Sequence, residues 1–120
     1  MPSTLPARPM PRASAQVAPY VECLGAELAV QFLLRFGGAE LYIPANGGAA
    51  SALCALVGAE AAARMASHHR IGQHVRRVPL ARRWLALMLH WQGHSVAQIA
   101  RTLRTTDVTV RNYINEGRIA

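Results

Sequence analysis

Arg111 and Asn112 are adjacent, and each is a residue type that reads one purine of duplex DNA. Arginine presents two donors to guanine, and asparagine pairs with adenine. Both lie within residues 95–114, whose spacing predicts two short helices joined by a tight turn. Val96, Ile99, Ala100 and Leu103 recur at i, i+3, i+4 and i+7, so the first helix has one apolar stripe. Ser95 precedes that stripe as an N-cap, and Ala100 is small enough for a close helix crossing. After a three-residue turn, Thr106 caps a second helix over about residues 107–115, with Val110, Tyr113 and Ile114 turned inward. This is the size and pattern of a helix-turn-helix, which places its second helix in the major groove. The base-reading candidates are Thr106, Asp107, Val108, Arg111, Asn112 and Asn115. Arg101, Arg104, Thr105 and Arg118 are the phosphate-contact candidates, because contacts of that kind position the protein without reading sequence. Asp107 also suits the positive end of the helix dipole. Arg104 stands where such turns often carry glycine, a departure that is tolerated if the residue avoids the left-handed region.

The elements that must hold this pair extend upstream. Leu80, Trp84, Leu87, Met88 and Trp91 follow helical spacing, Pro79 suits helix entry, and Gln92-Gly93-His94 supplies the stop. Residues 80–120 are therefore expected to form a three-helix, helix-turn-helix domain, with the tryptophans in its core. Charge agrees with this placement. Residues 61–120 carry ten arginines against Asp107 and Glu116, a net of +8, whereas residues 1–60 carry a net of −1. The chain has no lysine at all. Such a surface attracts phosphate before any base is read, and the binding weakens steeply with salt. The bland alternative is a solvated basic face.

Residues 20–79 are expected to form a helical dimerisation domain containing a duplicated helix-strand unit. Residues 24–29 (LGAELA) recur as residues 57–62 (VGAEAA), an offset of 33, and the polar stripe Glu27, Gln31, Arg35 recurs as Glu60, Arg64, His68. Each copy leads into a glycine-containing turn and a short extended stretch ending in Pro44 or Pro79, the second lying two residues late. The first helix, reading from Leu24 to Phe36, is apolar around most of its circumference and calls for cover by a second protomer. Leu41-Tyr42-Ile43 reads as a short strand without an obvious hairpin partner. It pairs either with its own copy across a two-fold axis or, in a monomer, with the second strand of the same chain. The dimer-interface candidates are Leu28, Phe32, Phe36, Leu41, Tyr42 and Ile43.

A helix, then Phe36-Gly37-Gly38-Ala39-Glu40-Leu41-Tyr42-Ile43-Pro44, then a C-terminal helix-turn-helix resembles the Mor transcription activator family of Mu-like phages and prophages. The resemblance covers about residues 20–120 and is most specific over the GG…YIP segment. It implies a homodimer with an intertwined helical N-terminal domain, a C-terminal domain that binds a promoter, and contact with host RNA polymerase. The chain departs from the family in its second helix and degenerate strand at residues 75–79, and in the arginine at position 104.

The remaining residues narrow the function classes. Residues 1–19 are rich in Pro, Ala, Ser and Arg, without periodicity, and are expected to be a disordered arm in which Arg8 and Arg12 are available to DNA. No run approaches the length of a membrane span. Cys23 and Cys54 are 31 apart, have no CxxC partner, and are expected as buried free thiols in a reducing cytoplasm, that of a bacterial host. His90 and His94 have i,i+4 spacing, but Gly93 interrupts the helix, so no metal site is expected. The six acids form no paired constellation, and nucleophile and phosphate-loop motifs are missing, so neither an enzyme nor a cofactor is expected. The expectation is a mainly α protein that regulates transcription by binding double-stranded DNA. The alternative is a helical phage assembly or packaging module whose helix-turn-helix is architectural.

Overall fold

The computed structural model describes residues 9–46, 48 and 51–119, with backbone alone at 118 and 119. Among these residues the fold is mainly helical, with one two-stranded antiparallel sheet. The chain divides into two compact units, Ala13–Ala81 and a second that begins at Arg82 and includes residues 9–12.

The first unit runs α1 (Ala18–Leu24), α2 (Ala26–Phe36), β1 (Leu41–Tyr42), α3 (Ala52–Val57), α4 (Ala59–Ser67) and β2 (His74–Val75). What the sequence presents as one helix per copy is two. Gly25 (φ 79°, ψ 160°) and Gly58 (φ 88°, ψ 156°) break the helices at equivalent places, in a conformation closed to residues with a Cβ. The apolar faces find their cover inside the unit, where α1 packs on both α2 and α4, and α3 packs on both α4 and α2. Ala29, Val30, Phe32, Ala62 and Met65 are completely buried. Phe32 lies between the rings of Tyr20 and Phe36, at 5.2 and 5.4 Å.

The strand at Leu41 has a partner in its own chain. Leu41 pairs with Val75 and Tyr42 with His74, antiparallel. The ladder is lengthened by Ile43 N–H to Gln73 O at 2.7 Å and by Gly38 N–H to Val78 O at 2.7 Å. The second strand thus sits at the offset of 33, not two residues late, because the backbone hydrogen bonds and not the prolines set the register.

Two further expectations are corrected. The expected arm does not reach residue 19: α1 begins at Ala18, with Pro19 in its first turn, where a missing N–H costs nothing, and Val17 is buried. Arg8 lies outside the described residues. Pro79 does not open the next helix either, since Ala81 (φ 52°) intervenes and Leu80 is half exposed outside it.

The second unit contains α5 (Arg82–Trp91), α6 (Val96–Leu103) and α7 (Asp107–Ile119), all mutually packed. Trp84, Leu85, Met88, Leu89 and Trp91 form its core with Ile99, Ala100, Leu103, Val110 and Ile114.

Candidate nucleic-acid interface

The start of α6 is held by a reciprocal pair. Ser95 Oγ accepts from Gln98 N–H at 3.1 Å, and Gln98 Oε1 accepts from Ser95 N–H at 2.9 Å. Two of the orphan amides of the helix start are thereby satisfied. The Ser-x-x-Gln spacing signals this box in the sequence, where the cap alone was expected. Ile99, Ala100 and Leu103 then face inward, leaving Gln98, Arg101 and Thr102 in solvent.

The turn spans residues 104–106, as the spacing predicts. Its closing geometry differs from expectation, because Arg104 is left-handed (φ 55°, ψ 50°). Thr105 N–H reaches back to Ala100 O at 2.9 Å, so the reversal follows the usual helix-ending geometry with arginine in place of glycine. Thr106 Oγ1 accepts from Thr109 N–H at 3.1 Å and donates to Thr109 Oγ1 at 3.0 Å, capping α7.

Val110 and Ile114 are buried and Tyr113 is half-buried, which turns the opposite side of α7 outward. All six base-reading candidates, Thr106, Asp107, Val108, Arg111, Asn112 and Asn115, are exposed on that helix or its cap. Val108 is 63% exposed, a large apolar side chain in solvent at the helix start. Arg111 Nη2 lies 3.9 Å from Asp107 Oδ2, a loose i,i+4 pair between exposed groups that leaves the guanidinium donors available. Of the phosphate-contact candidates, Arg101 and Arg104 are exposed and Thr105 is half-buried in the turn. The side chain of Arg118 lies outside the described residues.

Arg83 is a residue the sequence reading did not single out. Its Nη2 is 2.9 Å from Glu116 Oε2, and its guanidinium lies 5.9 Å from the centre of the Tyr113 ring. Together these contacts tie the second half of α7 to α5. Arg83 stands in the first turn of α5, and only packing reveals that its partner is Glu116. The tryptophans are buried, and Trp84 Nε1–H donates to Pro11 O at 3.4 Å, so they belong to the core and are not a base-stacking platform.

The proposed dimer-interface residues fall into two groups. Phe32 and Ile43 are buried within their own chain and present nothing to a partner. Leu28, Phe36 and Leu41 are half-buried, and Tyr42 is exposed, stacked on His74 at 4.4 Å. Two members of the second polar stripe reach across to α1. Arg64 donates to Cys23 O at 3.1 and 3.3 Å, and His68 lies 3.5 Å from Glu22, both across to α1. Burial raises the pKa of the Cys23 thiol, while Cys54 is half-buried rather than enclosed. Among the described residues, no group of three or more His, Cys, Asp or Glu is placed to hold a metal ion. None of their helices is long and apolar enough to cross a membrane.

A family model described as "putative ATPase subunit of terminase (gpP-like)" matches residues 81–118. The matched stretch is the second unit almost alone, less than half of the chain. It relates this segment to a phage terminase-like family, and not to the Mor family. No curated protein and no solved structure matches the chain.

Proposed function

We propose that the chain is a phage-type, sequence-specific DNA-binding regulator that lays α7 in the major groove. The observation that carries this reading is the outward face of α7, where Arg111, Asn112 and Asn115 stand exposed beside a capped turn. Arg111 would read guanine and Asn112 adenine, with Thr106, Asp107 and Val108 at the helix start and Arg101, Arg104, Thr105 and Arg118 toward phosphates. The resemblance to Mor activators favours activation, through host RNA polymerase in a bacterial cytoplasm. No catalytic, cofactor or metal role is assigned to these residues.

The second reading is a DNA-packaging module, favoured by the terminase-like match over residues 81–118. The matched segment contains no lysine and no phosphate-binding loop, so nucleotide hydrolysis is not carried over to it.

Selection of binding sites from random duplexes separates the two readings. A regulator yields a defined site, and Arg111→Ala or Asn112→Ala then loses about 1–3 kcal/mol at one base pair and little elsewhere. A loss spread evenly over all sequences reassigns the side chain to a phosphate. An unselective pool rejects the regulator in favour of the packaging module.

A further inference from the structure

We infer that the first unit is a closed two-fold pair built from a single chain, so that this protein meets DNA as one polypeptide with one recognition helix, on a site without a dyad. The DNA part of this inference rests on the reading of α7 above; the two-fold part does not.

The two copies superpose in sequence at a constant offset of 33 that carries Gly25 onto Gly58 and Leu41-Tyr42 onto His74-Val75. The glycines agree in φ to 9° and in ψ to 4°, from 79° and 160° against 88° and 156°. Along the helices, four pairs of buried positions keep the same offset. Tyr20 corresponds to Leu53, Ala29 to Ala62, Phe32 to Met65 and Leu33 to Ala66, and all eight are core residues.

The strand register then decides how the copies are related. With Leu41 equivalent to His74 and Tyr42 to Val75, the observed pairs are Leu41 with Val75 and Tyr42 with His74. Each position of one copy therefore pairs with the other position of its equivalent, the reciprocal pattern that a two-fold axis demands and a simple translation forbids. Helix packing obeys the same exchange. The first helix of each copy packs on the second helix of the other, α1 on α4 and α3 on α2. These are the contacts that two intertwined protomers would make, and here one backbone makes them. Within the chain, β2 takes one edge of β1, α1 takes a face of α4 and α3 takes a face of α2. Yet residues 82–119 are not duplicated, leaving one α7 for each such pair. Two-fold DNA sites are read by two recognition helices on one axis, and a single helix has no counterpart across it.

The test places cysteines at the exposed, directly opposed positions, Tyr42→Cys with His74→Cys, in a Cys23→Ala, Cys54→Ala background. Mild oxidation is expected to link the two within one chain, giving a monomer band on a non-reducing gel with both thiols lost. A covalent pair of chains, or two thiols that stay free in a helical, folded sample, overturns the inference. If the variant does not fold, sedimentation of the unaltered chain from micromolar to submillimolar concentration decides. The mass of one chain supports the closed pair, and the mass of two overturns it. Titration of a selected duplex is expected to saturate at one chain for each non-palindromic site; two chains on a dyad overturn the inference. Failure to select any site removes the reading of α7, and the crosslink and mass still settle the two-fold.

Discussion

Arg104 holds a left-handed conformation at the turn between α6 and α7, where the crowding of its Cβ costs about 1 kcal/mol. Arg104→Gly is therefore expected to stabilise the second unit by about 0.5–1 kcal/mol, after allowing for the extra freedom of glycine in the unfolded chain. Arg104→Ala keeps the Cβ and gains nothing. Urea midpoints of the two variants check this, and equal midpoints would reject the strain. A second residue-scale prediction concerns Glu40. His74 Nε2 lies 2.6 Å from Glu40 Oε2, and the Tyr42 hydroxyl donates to the same oxygen at 3.2 Å. The hydrogen bond to His74, then that to Tyr42, holds the Glu40 carboxyl below its usual 4.5. A depressed carboxyl pKa means that this contribution is complete above pH 4.5 and is lost as the pH falls through the lower folded value. Glu40→Gln should lower stability at neutral pH and leave the strongly acid end nearly unchanged, so that the acid side of the profile flattens. Urea midpoints measured across that window provide the check.

At the scale of elements, α6 depends on its start. Its eight residues are too few to be stable alone, so cap and packing together hold it. Ser95→Ala removes the acceptor for Gln98 N–H and is expected to cost about 1 kcal/mol, whereas Ser95→Asp restores it. Thermal midpoints of the two variants check the pair, and a loss common to both would point to something other than the cap. Recognition should weaken with the α6 cap even at positions far from any base, because α6 sets the angle at which α7 leaves the turn. The helix-turn-helix spacing was legible because its period and caps are local properties: the turn at residues 104–106 and the cap at Thr106 lie where the spacing puts them. The short helices ahead of Gly25 and Gly58 were missed, since only the backbone angles at these glycines show where one helix stops and the next begins.

For the whole molecule, the basic charge is shared more widely than the sequence halves suggest. Residues 82–120 carry six arginines against two acids, while residues 13–81 carry five against four glutamates. Steep salt dependence is thus expected to come mainly from the second unit. Replacing both Arg101 and Arg104 with Ala should lower the slope of log affinity against log salt by about 2 and leave the base preference intact. Binding isotherms at several salt concentrations measure the slope. A changed base preference with an unchanged slope would move these arginines from the phosphates to the bases.

By itself, the sequence determined the helix-turn-helix, its outward residues, the core tryptophans and the existence of two copies at an offset of 33, all features written within a few helical turns or in plain repetition. Tertiary structure decided how those copies meet. Whether β1 joins a second chain or its own β2 depends on a partner more than thirty residues away, a choice that no local period encodes. Backbone hydrogen bonding settled it, pairing Leu41 with Val75 and burying Phe32 and Ile43 inside one chain, where the sequence alone had offered them to another.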